Sequence, residues 1–541
     1  MMLNTKLVPF ALLALSQSVF AQQPPSAGSQ MQQIPRAPTL QKEAPKVEMA
    51  PVREPSSAAT ADQKITVNQL RVTGAKAYSE ADLLALTGFQ SGREFSLTDL
   101  RAMAARVADH YHRNGYFVAQ AYLPAQDIVN GQVTIAVVEG QYGKISLNNQ
   151  TNVSNNLAGN LLGGLNSGDP VTAAPLETRL LLLSDLPGVV VKSTLVPGAS
   201  VGTSDLMVDL TPGRRVSGSI DADNAGNYYT GRYRLGATVN VNEPLGLGDV
   251  ASLRVLTSGK GLNYARGSYQ LQFGKATVGV AYSALEYELS RGAYAGVGYN
   301  GTVKIASVYG SYPLIRSRDN NLYAGLNYDD KTFEDKTNST TYRDKKAQVL
   351  TASLYGDLRD SFGGGGVTGY SLALSAGNID GATAPINGNF NKLGFSLSRL
   401  QRVTDTVSLS AVANGQLASK ALDSSEQMEL GGMYGVRAYP EGEGYNDEGA
   451  VLNLEARVQM PKFSVSMPGQ LQLIGFVDAG TVRAHGAGNR RTLSGAGVGF
   501  NWSDTNNFMV RAYYAAKLGD EAATSAPDES GRFWIQAVKY F

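Results

Sequence analysis

Over residues 216–541 apolar and polar residues alternate with a period of two, in runs as long as a tilted membrane-crossing strand needs, roughly 9–11 residues. Residues 232–241 show the pattern: Tyr233, Leu235, Ala237, Val239 and Val241 share one face, and Arg232, Arg234, Gly236, Thr238 and Asn240 the other. It recurs at Tyr269/Leu271/Phe273, Tyr370/Leu372/Leu374, Leu393/Phe395/Leu397, Leu452/Leu454/Ala456/Val458 and Leu471/Leu473, each with polar or small residues between. Successive side chains of a strand point to opposite faces, so such runs build a sheet with one apolar and one polar side. A soluble sandwich shows the same alternation on shorter strands. A closed barrel with lipid outside and water inside needs the longer ones. The chain ends Phe533-Trp534-Ile535-Gln536-Ala537-Val538-Lys539-Tyr540-Phe541, an aromatic-terminated strand common to outer-membrane barrels, with Lys539 an imperfection on the face of Phe541.

Strands are predicted near 216–223, 231–242, 249–258, 265–273, 276–289, 300–312, 320–334, 345–360, 367–378, 390–403, 405–418, 448–461, 469–483, 490–502, 506–518 and 530–541. The total of about sixteen is even, as closure with both ends on one side requires. The long loop 419–447 then follows the eleventh strand, on the side opposite the segments that precede the barrel.

Before the barrel the composition changes. Lys6, an apolar run over 7–15 and Val19-Phe20-Ala21 read as a cleaved secretory signal, residues 1–21. Residues 22–63 are a linker rich in Pro, Gln, Ala and Ser, in which Pro45 limits any helix over 40–49 to a short one. Residues 64–141 read as a β-α-α-β-β module. Ser79-Glu80-Ala81-Asp82 and Ser96-Leu97-Thr98-Asp99 resemble helix caps, and Leu100, Met103, Ala104, Val107 and Tyr111 fall on one helix face. Residues 142–213 repeat that order, with helices at 153–163 and 173–184.

Composition removes several functions. Lys+Arg 47 against Asp+Glu 46 leaves no basic field for nucleic acid. With no cysteine there is no disulfide, thiolate metal site or cysteine nucleophile. His110 and His112 are two apart and so face different sides of a helix, which makes no metal pair. His485 stands without a serine partner, and the glycine run 363–366 lacks the lysine of a phosphate loop. No catalytic residue, cofactor or metal is assigned.

Two motifs stand apart. Gly435-Val436-Arg437-Ala438-Tyr439-Pro440 lies in the long loop, and Gly475-Phe476-Val477-Asp478-Ala479-Gly480 lies in a strand. An Arg on a loop and an Asp on a strand can form a bidentate clamp if the loop folds back. Asp478 shares a face with Ile474 and Phe476, and an acid facing lipid is costly, so that face is expected to point into the barrel.

Signal, linker, two small α/β modules and a sixteen-stranded barrel together resemble the outer-membrane transporters of two-partner secretion, which export haemagglutinins, haemolysins and related adhesins or toxins. Three stretches carry the resemblance. The first is Gly115-Tyr116-Phe117 through Ala121-Tyr122-Leu123-Pro124-Ala125-Gln126-Asp127, Gly131 and Val138-Glu139-Gly140, similar to the family's first POTRA module. The second is Asp223-Asn224-Ala225-Gly226, Thr230-Gly231-Arg232-Tyr233-Arg234 and residues 242–249, similar to its first barrel hairpin. The third is the loop and strand pair, where Ala438 replaces a usual Gly.

The resemblance implies POTRA 1 at 64–141, POTRA 2 at 142–213 and a transmembrane β-barrel at 214–541 whose loop 419–447 folds inward. It implies a latch of Val436, Arg437, Tyr439, Phe476, Asp478 and Gly480, and partner capture by strand addition involving Tyr116, Tyr122, Leu123, Pro124, Gln126 and Asp127. The partner would be a large secreted β-helical exoprotein: an adhesin, a haemolysin or a contact toxin. Outer-membrane lipid surrounds the barrel, and barrel-assembly machinery would insert it. Family members can thread an N-terminal plug helix through the barrel; the prolines of 22–63 favour a passive linker at least as strongly. A barrel-assembly factor of the same superfamily and a passive porin or receptor remain as alternatives.

Overall fold

The computed structural model describes residues 24–41, 45, 47–49, 64–464 and 466–541. The secretory signal expected at 1–21 lies outside them. Sixteen antiparallel strands, from Val216–Asp223 to Gly531–Tyr540, close into a barrel in which each pairs with the next in sequence and the first pairs with the last. The alternation sets the faces: Leu235 is 56 % exposed and its neighbour Arg234 is 6 % exposed. Lys539 also stands outside, but its ammonium reaches Asn507 in a periplasmic turn, so the long stem carries the charge out of the apolar band.

Strands Tyr299–Arg316, Asn320–Thr337 and Thr340–Asp360 run beyond their predicted ends. The last two meet at a two-residue turn, Asn338-Ser339, with both φ angles positive (48° and 69°). There the sequence is polar on both faces, because a hairpin projecting past the membrane has no lipid side to mark it.

The inner wall is not polar throughout. Leu256, Leu285, Val303, Ile305, Phe333 and Val349 form a buried apolar cluster in the lumen, and Ala27 of helix Ala27–Gln32 packs into it. The segment read as a passive linker at least as readily as a plug therefore places a short helix inside the barrel.

The first module has a three-stranded sheet ordered Gln69–Thr73, Gln132–Val138, Gln120–Tyr122, covered by helices Glu80–Thr87 and Leu97–Arg113. Leu100, Met103, Ala104, Val107 and Tyr111 form its buried helix face, and Ser96 caps that helix through Asp99. The second module has strands Gln141–Asn149, Val189–Pro197 and Thr203–Pro212 with helices Asn155–Leu162 and Ala173–Ser184. Its sheet gains a strand from the linker: Val47–Met49 pairs in parallel with Val189–Pro197. Where a short helix over 40–49 was the most Pro45 would allow, the described end of that stretch is extended, satisfying its backbone on a sheet edge instead.

The second module sits on the periplasmic rim. Arg316, the last residue of strand Tyr299–Arg316, grips Asp185 through two 2.8 Å bonds, and Arg318 Nε in the turn that follows lies 3.0 Å from Glu177. The motif 242–249 is the turn that meets this module. Asp249 accepts from the N–H groups of Leu245 (3.1 Å) and Leu247 (3.0 Å), and the Ser154 N–H donates to Gly246 O at 2.9 Å. A Cβ on Gly248 would come within 2.9 Å of Leu186, so only glycine admits this contact.

Candidate functional site in the barrel lumen

Asp478 lies on Gln470–Arg483, the thirteenth strand of the barrel, and is fully buried with Ile474 and Phe476 on the inner face. Loop 419–447 turns inward and brings Arg437 to it. Arg437 Nε donates to Asp478 Oδ2 at 2.8 Å, Nη2 donates to Oδ1 at 2.7 Å, and the Arg437 backbone N–H donates to Oδ2 at 3.1 Å. The third guanidinium nitrogen, Nη1, donates to Glu455 Oε1 at 2.7 Å. Glu455 in turn accepts from Arg457 Nη2 at 2.7 Å. Two cations face two anions, so the buried cluster is neutral.

The surroundings fix the pair in place. The guanidinium carbon lies 3.5 Å from the centre of the Phe476 ring and 5.0 Å from that of Tyr513, both within cation–π reach. Asn453 Nδ2 donates to Asp478 Oδ1 at 2.8 Å and to Gly435 O at 2.9 Å. Trp534 Nε1 donates to Arg437 O at 2.7 Å. Val436 and Tyr439 are buried, and the Tyr439 hydroxyl donates to Glu521 O at 3.0 Å in another extracellular loop. A Cβ on Gly480 would meet Leu430 of the loop at 2.9 Å, so this glycine makes room for it.

Ala438 does not adopt a positive φ, so its methyl brings no backbone strain. The methyl is accommodated at the wall beside Asp478, whose register partner is Gly495: a Cβ on Gly495 would come within 2.5 Å of the Ala438 Cβ.

Sequence reasoning missed the partners on other strands. Glu455, Asn453 and Arg457 were visible only as polar positions of an alternating strand; the register Asn453↔Asp478 brings them beside the aspartate. The loop has further anchors. Lys345 Nζ meets Asp423 at 2.5 Å, and Glu426 lies 2.7 Å from Lys331 and 2.8 Å from Lys392, on other strands of the barrel. Glu443 pairs with Arg491 and accepts from Thr524 and Ser525. Burial opposes ionisation of Glu443, but Arg491, Thr524 and Ser525 hold its carboxyl below the ordinary value.

The helix Ala27–Gln32 has a different seat. Its first N–H donates to Asp335 Oδ1 at 2.7 Å, Gln32 donates to Ser424 O at 2.9 Å, Thr230 donates to Gln30 at 2.9 Å, and Arg234 donates to Gln33 O at 2.9 Å. Gln30 Nε2 and Gln33 Oε1 are buried without a protein partner among the described residues.

The six POTRA residues divide. Tyr116 packs edge-on against Tyr111, and Gln126 exchanges two hydrogen bonds with Thr134, so both support the module. Leu123 packs against its core, and Pro124 is half-buried. Tyr122 and Asp127 are exposed, Tyr122 on the outer strand of the sheet. At the extracellular rim His485 Nδ1 lies 2.8 Å from Glu448, beside Arg483, in an ion cluster.

Residues 202–502, more than half of the chain, match the family described as haemolysin secretion/activation protein ShlB/FhaC/HecB, and residues 65–140 match the ShlB-type POTRA domain. The heme/hemopexin transporter protein HuxB of Haemophilus influenzae is 30% identical over 476 residues, 83% of this chain and 82% of its own. The outer membrane transporter CdiB of Escherichia coli is 25% identical over 505 residues, 90% of this chain and 84% of its own. The solved structure of CdiB from Escherichia coli aligns with a TM-score of 0.68 at 20% identity, covering 91% of this chain and 93% of that one. BamA from Haemophilus ducreyi lacking POTRA domains 1-3 aligns at 0.55 and 14% identity, covering 88% and 100%. The fold is thus shared with both CdiB and BamA, and the family match is what places the chain among the haemolysin secretion/activation proteins.

Proposed function

The chain belongs to the haemolysin secretion/activation family, the outer-membrane transporters of two-partner secretion, and from that membership we propose how its parts divide the work. It is an outer-membrane β-barrel with periplasmic POTRA modules, and it secretes a partner exoprotein; members of its family are transporters, not enzymes. In our reading Arg437 and Asp478 latch loop 419–447 in the lumen, with Val436, Tyr439, Phe476 and Gly480 shaping the seat. The POTRA modules capture the partner unfolded, as an added strand, and Tyr122 offers the exposed edge of the first. The partner is a large β-helical exoprotein, an adhesin, haemolysin or contact toxin, whose folding outside gives transport its direction.

One observation carries the latch: three donors of Arg437 converge on the fully buried Asp478 carboxylate. A buried pair of this kind adds little net stability, since desolvation offsets the attraction, but removing one partner strands the other's charge. It therefore selects one loop position. Arg437→Ala and Asp478→Ala are expected to cut secretion while the barrel still inserts and migrates as a heat-modifiable species. Normal secretion by both would remove the latch from the account.

A further inference from the structure

The linker's pairing with the second POTRA module changes what that module can offer a partner. Its sheet runs in the order Val47–Met49, Val189–Pro197, Thr203–Pro212, Gln141–Asn149, so this chain's own linker occupies one edge. The pairing is short: Val47, Glu48 and Met49 match Ser193, Thr194 and Leu195, three of the nine residues of that strand. Val47 packs against the module's apolar cluster, while Glu48 and Met49 are exposed. Val190, on the same strand, is 45 % exposed.

The segment is pinned just upstream. Arg318 Nη2 donates to Pro45 O at 2.7 Å, and the same arginine holds Glu177 of the module. Gln41 and Asn506 exchange two 2.8 Å hydrogen bonds at a periplasmic turn. From Gln33, the C-cap of the lumen helix, to Gln41 is eight residues, which span at most about 29 Å.

Resting on the strand-capture reading above, we propose that the Val189–Pro197 edge is a docking strand for an extended segment of the unfolded partner, and that Val47–Met49 is a resident placeholder which the partner displaces. Three pairs make a weak contact by themselves. A short tether keeps them formed by holding the segment at an effective concentration on the order of millimolar. An incoming segment with alternating apolar residues and no proline at pairing positions can pair along more of the nine-residue strand, Val190 included. Main-chain hydrogen bonds supply the affinity, so the site tolerates many sequences. Until that exchange the placeholder covers an edge that would otherwise invite non-specific pairing. The exchange also frees the end of the tether that leads to the lumen helix.

The chain has no cysteine, so an engineered pair is the only pair. The probe is a fluorescein-labelled peptide, Pro-Lys-Val-Glu-Met-Ala-Pro, identical to residues 45–51, added to the full-length protein in detergent. Glu48→Pro, which removes the resident strand, should bind the probe at least about tenfold more tightly than wild type, because the intramolecular competitor is gone. Glu48→Cys/Thr194→Cys should lose probe binding when oxidised and regain it on reduction. Equal binding by wild type, Glu48→Pro and the oxidised pair overturns the proposal. Co-expression with the partner exoprotein separates the two readings. Undiminished secretion from the oxidised pair overturns the placeholder and leaves export intact, whereas an exoprotein that wild type fails to secrete overturns the export reading itself.

Discussion

Loop 419–447 and helix Ala27–Gln32 share one lumen, yet they are seated by different chemistry. The loop puts Arg437 between Asp478 and Glu455 and closes further ion pairs through Asp423, Glu426 and Glu443. The helix carries no charged side chain; barrel charges reach only its backbone ends, at Ala27 and Gln33. The loop's central carboxylate is satisfied four times over, while each of two side-chain amides of the helix segment leaves one buried atom, Gln30 Nε2 and Gln33 Oε1, without a partner among the described residues. Buried ion pairs are hard to open because each half is costly alone, whereas a short neutral helix gives up modest, replaceable hydrogen bonds. The comparison implies that the helix is the removable occupant and the loop the fixed one.

The largest effect should come from breaking the loop's seat. Arg437→Ala leaves Asp478 and Glu455 buried without their shared cation, a loss of about 3–5 kcal/mol in the loop's hold. Limited proteolysis of intact outer membranes should then cut loop 419–447, which resists in the wild type. Arg437→Lys should fail almost as badly, because an ammonium cannot reproduce the fork that binds both carboxylates. If Arg437→Lys secretes like wild type, charge alone suffices and the bidentate geometry is irrelevant.

Next is the Ala438 contact. Gly495→Ala forces two methyl groups together and should cost about 1–3 kcal/mol of loop seating, and Ala438→Gly in the same chain should restore it. Protease resistance of the loop reads both. A double variant as sensitive as Gly495→Ala would show that the two positions do not share that space.

Gly28→Ala should displace the helix from the residue of loop 419–447 it packs against, Ser425, and leave the loop's own ion pairs intact. Its Cβ would lie 2.8 Å from Ser425 N and 2.9 Å from Ser425 Cβ, so the helix must shift or leave. Planar-bilayer conductance should rise toward that of a chain lacking residues 24–33, with loop protease resistance unchanged. A loop that becomes sensitive in this variant would show that the two seats are one unit.

What could be read from the sequence followed length and contrast. Strands such as Gln470–Arg483 were legible because lipid on one side imposes alternation over many residues. Asp478 stood out as an acid among inward apolar residues. Glu455 was no different in sequence from Asn453 or Arg457, and only the register beside Gln470–Arg483 makes it a partner of Arg437. The helix Ala-Gly-Ser-Gln-Met-Gln is six residues long, too short for a helical period, and its place is set by the walls around it. Val47–Met49 is three residues in a proline-flanked stretch, and the strand it joins begins at Val189. Neither period nor composition announces such a pairing, since the sheet edge supplies the reason for it.

The difference between the two occupants can be measured with single thiols in a chain that has none of its own. Gln30→Cys places one in the helix and Val436→Cys one in the loop, both at fully buried positions. A membrane-impermeant maleimide applied to the transporter in outer-membrane vesicles should label Gln30→Cys at least about tenfold faster, the ratio for a difference of 1.4 kcal/mol in opening. Equal rates, or faster labelling of Val436→Cys, would contradict the view that the helix leaves while the latched loop stays.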